Sequence, residues 1–255
     1  MPQALLFVQN VTQGRSTSGE GSDSFVLFSG GDSTLKIKEV RTLISKGPFA
    51  ESDHWKQLRG NILEAVGNVV WPVGSDKFTI YPESGKKSGE GNGVKPIKNG
   101  AIERLTANRP NYGQLKKNGG LPVQNGWVAE MPWPVGERIR PGNMDAAYCN
   151  QQGELEICLE WETGNISSSH RSMNKMAMGL LLGKVKAGVL VVPSRELYPY
   201  LTDRIGNISE LEPYFPLWEA TPCEEGVLEI VVIEHDATSF DVPKIPKGTD
   251  GRAKR

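Results

Sequence analysis

Glu160 and Glu162 flank Trp161 at the start of EWETGNISSSHRSMNK, residues 160–175. The stretch from Glu154 to Glu162 reads ELEICLEWE. Leu155, Ile157, Leu159 and Trp161 alternate with Glu154, Glu156, Cys158, Glu160 and Glu162, which is the period of a β-strand. Period two puts Glu160 and Glu162 on one face, with Cα atoms roughly 6.5–7 Å apart, twice the rise per residue. Two carboxylates so placed repel each other unless a cation or a proton lies between them. Beside apolar neighbours they form a candidate magnesium site, because magnesium takes hard oxygen ligands and keeps several waters. The plain alternative is a solvent-facing polar edge that Glu154 and Glu156 merely continue.

Asp145 strengthens the first reading. It lies 15 residues before Glu160, in the turn-prone stretch PGNMDAAY. That spacing suits a hairpin-like return that brings Asp145 beside the Glu160 end of the next strand. An Asp followed by Glu-x-Glu on an adjacent strand resembles the Asp…(Asp/Glu)-x-Lys pattern of many nucleases, with Glu162 in the Lys place.

Elements of both periods must position these acids. After Glu162, Ser167, Ser168 and Ser169 offer N-cap oxygens for a helix. Met173, Met176, Ala177, Leu180 and Leu181 then mark one buried face, and Gly183 is a plausible stop. Gly188–Val192, GVLVV, reads as a strand buried on both faces. A helical stretch is expected near Arg195, and a strand over Val227–Glu234. Upstream, helical periodicity is read from about Leu35 to Val70, interrupted near Gly47–Pro48. Phe78, Ile80 and Tyr81 suggest a short strand, Pro82–Gly93 a loop, and Lys98–Ala107 a helix. Residues 109–144 are rich in Pro, Gly and Asn, so regular structure there should be short. Strands alternating with helices predict an α/β fold, a central mixed β-sheet flanked by helices. Residues 1–34 are Gly- and Ser-rich and read as a peripheral extension; residues 35–255 read as a single domain.

The bulk numbers set limits. The chain has 255 residues, 38% hydrophobic and 23% charged, so it can bury a sizeable core and is not of disordered composition. The net charge of −1 does not announce a nucleic-acid binder, but local patches can serve. Lys95, Lys98, Arg104, Arg109, Lys116 and Lys117 stand against Glu103 alone between residues 95 and 117. Lys244, Lys247, Arg252, Lys254 and Arg255 form a second basic run. Cys149, Cys158 and Cys223 fall in no metal-ligand spacing, and their odd number argues against a disulfide framework. A reducing cytoplasm is expected. No run approaches the about 18 apolar residues of a membrane helix, and MPQALLFVQN does not read as a signal peptide.

Several longer motifs point further. Beside EWETGNISSSHRSMNK stand YLTDR and NISELEPYF within Tyr200–Phe215, and VPKIPKGTDG at Val242–Gly251. Weaker anchors are WPVGSDKFTI (Trp71–Ile80), NGVKPIK (Asn92–Lys98) and WVAE (Trp127–Glu130). In this order, from about residue 35 onward, the chain resembles the BamHI-type family of type II restriction endonucleases. The resemblance implies the restriction-endonuclease-like core, of the PD-(D/E)xK type, and magnesium-dependent hydrolysis of double-stranded DNA. Asp145 and Glu160 would hold the metal, with Glu130 a further acid of the site. Glu162 would act as general base on the attacking water. The family's palindrome GGATCC, cut after the first G, is the implied target, leaving a 5′-phosphate and a 3′-hydroxyl.

The same resemblance assigns DNA contacts. Asn165, Ser167 and Arg171 lie at the helix start, a natural place for groove or phosphate contacts. Asp203 and Arg204 match the pair that reads the major groove. Asp250 and Gly251 match a segment that reaches the minor groove, and Lys98 falls among the DNA-binding positions. Without the resemblance, Asn165 and Ser167 read as N-caps, Asp203–Arg204 as a surface pair and Asp250–Gly251 as a turn. His170 reads as structural or as a phosphate contact. A palindrome read by one protein surface implies a homodimer, with the helix after Ser167 and the one near Glu210 as candidate dimer elements. A methyltransferase of the same site is the implied functional partner. Two other classes are kept in view. A DNA-binding protein without nuclease activity would not need the acids. A glycosidase would place its acids on separate elements flanking a cleft and leave TGNISSSHRSMNK without a purpose.

Overall fold

The computed structural model describes residues 35–83, 91–134, 142–202 and 205–247. The expectations for residues 1–34, for Asp203 and Arg204, and for Asp250 and Gly251 lie outside the described residues.

Ala187–Pro193 (β6) and Gly226–Glu234 (β7) are buried along their whole length. Such strands must lie inside a sheet covered on both faces, and they pair in parallel with each other. Leu155–Trp161 (β5) continues the parallel set on β6. Asn143–Cys149 (β4) pairs antiparallel with β5, and Gly126–Pro132 (β3) antiparallel with β4. Lys36–Lys46 (β1) closes the other edge, antiparallel to β7. The order is β1-β7-β6-β5-β4-β3, a mixed six-stranded sheet, as expected. Thr79–Ile80 (β2) and Ala237–Thr238 (β8) form a separate two-stranded pair.

Gly47–Glu51 (α1) leads into Asp53–Gly67 (α2), whose first turn Ser52 caps by accepting from Trp55 N. Trp55, Leu58 and Ile62 of α2, and Ile97 and Ala101 of Lys95–Leu105 (α3), share one hydrophobic core with Ile157, Leu159 and Trp161 of β5. Short Tyr112–Lys117 (α4) lies between α3 and β3 in the chain. The opposite face of the sheet carries Cys158, Leu190 and Leu228 against Met173, Met176 and Leu180 of Ile166–Leu181 (α5). Ile208–Leu211 (α6) and Phe215–Glu219 (α7) add Leu211 and Trp218 to this second core. Gly188 permits the close seat of α5 on β6: a Cβ there would lie 2.7 Å from Met176 Cβ. Truncating one of these core side chains to Ala should cost about 2–5 kcal/mol.

Four sequence expectations change. Leu181, read as part of the buried face of α5, is 50% exposed. Residues 36–46 are a strand, not the start of a helix. Ile37, Val40 and Ile44 are spaced by three and four because register shifts at Ile37/Glu39 and Thr42/Ile44 break the strict alternation. Near Arg195 the chain makes a turn and a 3-10 segment, Tyr198–Tyr200, rather than a longer helix. The N-cap of α5 is Asn165, which accepts from Ser168 N, so the serines lie inside the first turn. No helix of the described residues is long and apolar enough to cross a membrane.

Candidate active site at the β3–β4–β5 edge

Strand pairing aligns the acids. Ala146 pairs with Leu159, so Asp145 stands level with Glu160 on the neighbouring strand. Ala129 pairs with Ala146 and Met131 with Met144, so Glu130 stands level with Asp145. Three adjacent strands therefore each present one acid at the same height. Glu130 is exposed and has φ of 58°, in the left-handed region that side chains other than glycine rarely adopt. Such strain tends to persist at functional sites.

The solvent-facing alternative for β5 does not hold. Glu160 is 7% exposed and Glu162 3%. Each is held by a different chemistry. Lys175, on the buried side of α5, donates to Glu160 Oε1 and lies 5.8 Å from the Trp133 ring centroid. Burial raises the Glu160 carboxyl to about 7; Lys175 opposes the shift and Asp145 adds to it. Asp145 accepts from Lys98 Nζ at 2.6 Å and from Trp161 N at 2.8 Å. Glu162 takes neutral donors instead: Gly164 N at 2.5 Å on Oε1 and the Ser169 hydroxyl on Oε2. Its pKa is also raised, by burial first, against the pull of Ser169.

Among the described residues no three His, Cys, Asp or Glu side chains converge as a ready-made metal cage. Magnesium does not require one: one or two carboxylates, with waters and substrate phosphate oxygens completing the shell, suffice. Asp145 and Glu160 supply two hard oxygen donors on adjacent strands, so the donor set fits. Each carboxylate is neutralised here by a lysine that an incoming divalent cation must share it with or displace.

The acids lie beside the start of α5, where Asn165, Ser167 and Arg171 are all exposed. Asn165 uses its Oδ1 as the cap, while its amide NH₂ keeps two donors. Lys98 sits on Asp145, so a phosphate contact by this ammonium would have to share that pair. His170 packs edge-on against Tyr214, centroids 4.3 Å apart, and near Trp218 at 5.6 Å, which is a packing role. The sequence gives Lys175 no role, and Ser169 only that of an N-cap candidate. The signal was there for Ser169: it lies four residues before Met173 and continues the buried stripe of α5 by one turn.

A family described as restriction endonuclease BamHI matches residues 35–252. The type II restriction enzyme OkrAI of Oceanobacter kriegii is 42% identical over 221 residues, 87% of this chain and all of that protein. The type II restriction enzyme BamHI of Bacillus amyloliquefaciens is 32% identical over 221 residues, 85% of this chain and 90% of that protein. Enzymes of this kind act on DNA and are in general metal-dependent. Neither a DNA-binding protein without nuclease activity nor a glycosidase accounts for these matches. The chain belongs to the BamHI family of type II restriction endonucleases, hydrolases of the DNA backbone.

Proposed function

We propose that this endonuclease cuts double-stranded DNA at G^GATCC by magnesium-dependent in-line hydrolysis, leaving 5′-phosphate and 3′-hydroxyl ends. The observation that carries this reading is the row Glu130, Asp145 and Glu160 across β3, β4 and β5, with Glu162 two residues on. Asp145 and Glu160 would hold the metal, with exposed Glu130 a further acid of the site. When bound, the cation polarises the scissile phosphate and supports charge on the leaving oxygen. Glu162 accepts a proton from the attacking water. The water oxygen bonds to phosphorus, the bond from phosphorus to the 3′-oxygen breaks, and that oxygen takes a proton from solvent. Burial of Glu162 makes it a better base than an ordinary surface carboxylate.

Recognition is assigned to Asn165, Ser167 and Arg171, exposed side chains at the N-cap and in the first two turns of α5, with Asp203, Arg204, Lys98, Asp250 and Gly251. Arg pairs with guanine, Asn with adenine or a guanine edge, and Asp with cytosine in the major groove. Residues 35–255 act as one endonuclease domain, with 1–34 an extension. A palindrome calls for a two-fold homodimer. Met178, Leu181, Leu182, Tyr214 and Leu217 are exposed apolar side chains on and around α5 and α7, and they supply its interface. The setting is cytoplasmic, with a cognate methyltransferase protecting the same sites; free Cys149, Cys158 and Cys223 agree with a reducing compartment.

Plasmid DNA incubated with protein and magnesium should yield discrete fragments, and intact or smeared DNA would sink the reading. Sequenced fragment ends that do not begin 5′-GATCC, with a four-base GATC overhang, would refute the site alone. Leu181→Glu with Leu217→Glu should give a monomer by sedimentation and lose cutting; a dimer that survives both places the interface elsewhere.

A further inference from the structure

Ser169 is fully buried, and its hydroxyl donates to Glu162 Oε2. A buried hydroxyl aimed at a buried carboxylate fixes the rotation of that carboxylate. The other oxygen of Glu162 is held by Gly164 N. Both supports converge on one residue. Buried Gly206 donates its N–H to Gly164 O at 3.2 Å, which steadies the turn carrying the Gly164 donor. Gly206 also packs directly on Ser169: a Cβ added there would lie 2.8 Å from Ser169 Oγ and 3.2 Å from Ile166 Cα. Only a residue without a side chain lets the serine hydroxyl stay where it reaches Glu162.

We propose that Ser169 is a positioning residue for Glu162, and that Gly206 is the seat that holds both donors of that carboxylate in place. The proposal rests on Glu162 being the base. A base must aim one lone pair at the attacking water, and a carboxylate free to rotate spends little time so aimed. Misplacement by about 1 Å can cost about a hundredfold in rate. Gly206 follows closely on the Asp203–Arg204 pair assigned to base reading.

The test uses the full chain and a duplex carrying whichever site the wild type cuts. Ser169→Ala should lower the single-turnover cleavage rate with magnesium about tenfold or more. Its Kd for the same duplex with calcium should stay at the wild-type value, its melting temperature should fall by no more than the loss of one buried hydrogen bond explains, and the rate should be read where the variant is fully folded. Gly206→Ala should show the same split, and should cost less in rate on the Ser169→Ala background than on wild type, because it then displaces no hydroxyl. A wild-type rate for Ser169→Ala, or a rate loss matched by lost binding and stability, overturns the proposal. So does full additivity of the two substitutions. Glu162→Gln, run alongside, separates the failures. If it cuts like wild type, the base assignment falls and takes the positioning role with it. If it is dead while Ser169→Ala is unimpaired, only the positioning role falls.

Discussion

Two glutamates close strands of the parallel core in nearly the same way. Glu162 follows β5 and Glu234 ends β7. Each accepts a hydrogen bond from a buried serine and another from a nearby backbone N–H: Ser169 and Gly164 for Glu162, Ser194 and His235 for Glu234. Their surroundings differ. Ser194 Oγ also accepts from Glu196 N at 3.1 Å and Leu197 N at 2.9 Å, so it caps the turn that leads to Tyr198–Tyr200. His235 Nδ1 lies against Glu234 Oε1, and its ring meets Tyr200 edge-on, centroids 5.5 Å apart. That cluster is closed and its members hold one another. Glu162 instead faces the field of Asp145 and takes its serine donor from the first turn of α5, the helix that carries exposed Ser167 and Arg171. The same serine–carboxylate pairing is a brace in one place and, in the proposed mechanism, a mount for a base in the other. Neighbouring charge decides which.

The largest expected effect tests the working side. Glu162→Gln keeps shape and most hydrogen bonding but cannot take a proton. Cleavage should fall by about 10²–10⁴, the range for a general base. DNA binding with calcium, read by gel shift, should survive. Loss of binding would move Glu162 into folding or recognition and erase the contrast with Glu234.

Lys175→Met comes next. It leaves Glu160 buried without its ammonium, and breaking a buried ion pair from one side costs about 3–5 kcal/mol. Urea unfolding without metal should show that loss. A far smaller change would mean that Glu160 is already neutral or solvated in the folded chain.

The same carboxylate predicts a pH dependence. Glu160 holds its proton to about 7 when folded, against 4.5 for the ordinary side chain. Between these values the folded state binds more protons. The contribution of this group to stability is therefore fullest below pH 4.5 and falls as pH rises toward 7, by about 3 kcal/mol in all. Metal-free unfolding curves at several pH values check this, and Glu160→Gln should flatten the slope. A slope that persists in that variant belongs to another group.

Much of this architecture was legible in the sequence because its signals are local. The alternation of β5, the apolar run of β6 and the Met–Leu stripe of α5 each follow one period. Asp145 and Glu160 could be joined because a hairpin-like return leaves little choice of register. β1 misread because bulges shift its apolar residues to helical spacing. Lys175 and Lys98 were not legible as counter-charges, since which side chain of α5 or α3 meets an acid depends on how each helix packs on the sheet, which no local period fixes. Gly206 was illegible for the same reason: what it touches is a serine 37 residues earlier in the chain.

The smallest expected effect tests the bracing side. Ser194→Ala removes one donor from Glu234 and the acceptor for two N–H groups. Leaving buried polar groups unpaired costs about 1–3 kcal/mol, and the lost cap is part of that cost. Melting temperature should drop accordingly. The cleavage rate per folded molecule should not change, since Ser194 touches no acid of the β3–β4–β5 row. Measuring both at a temperature where the variant is fully folded separates the two. If the rate falls with the fold intact, Glu234 is coupled to the chemistry, and the two serine–carboxylate pairs are parts of one extended site rather than a brace and a mount.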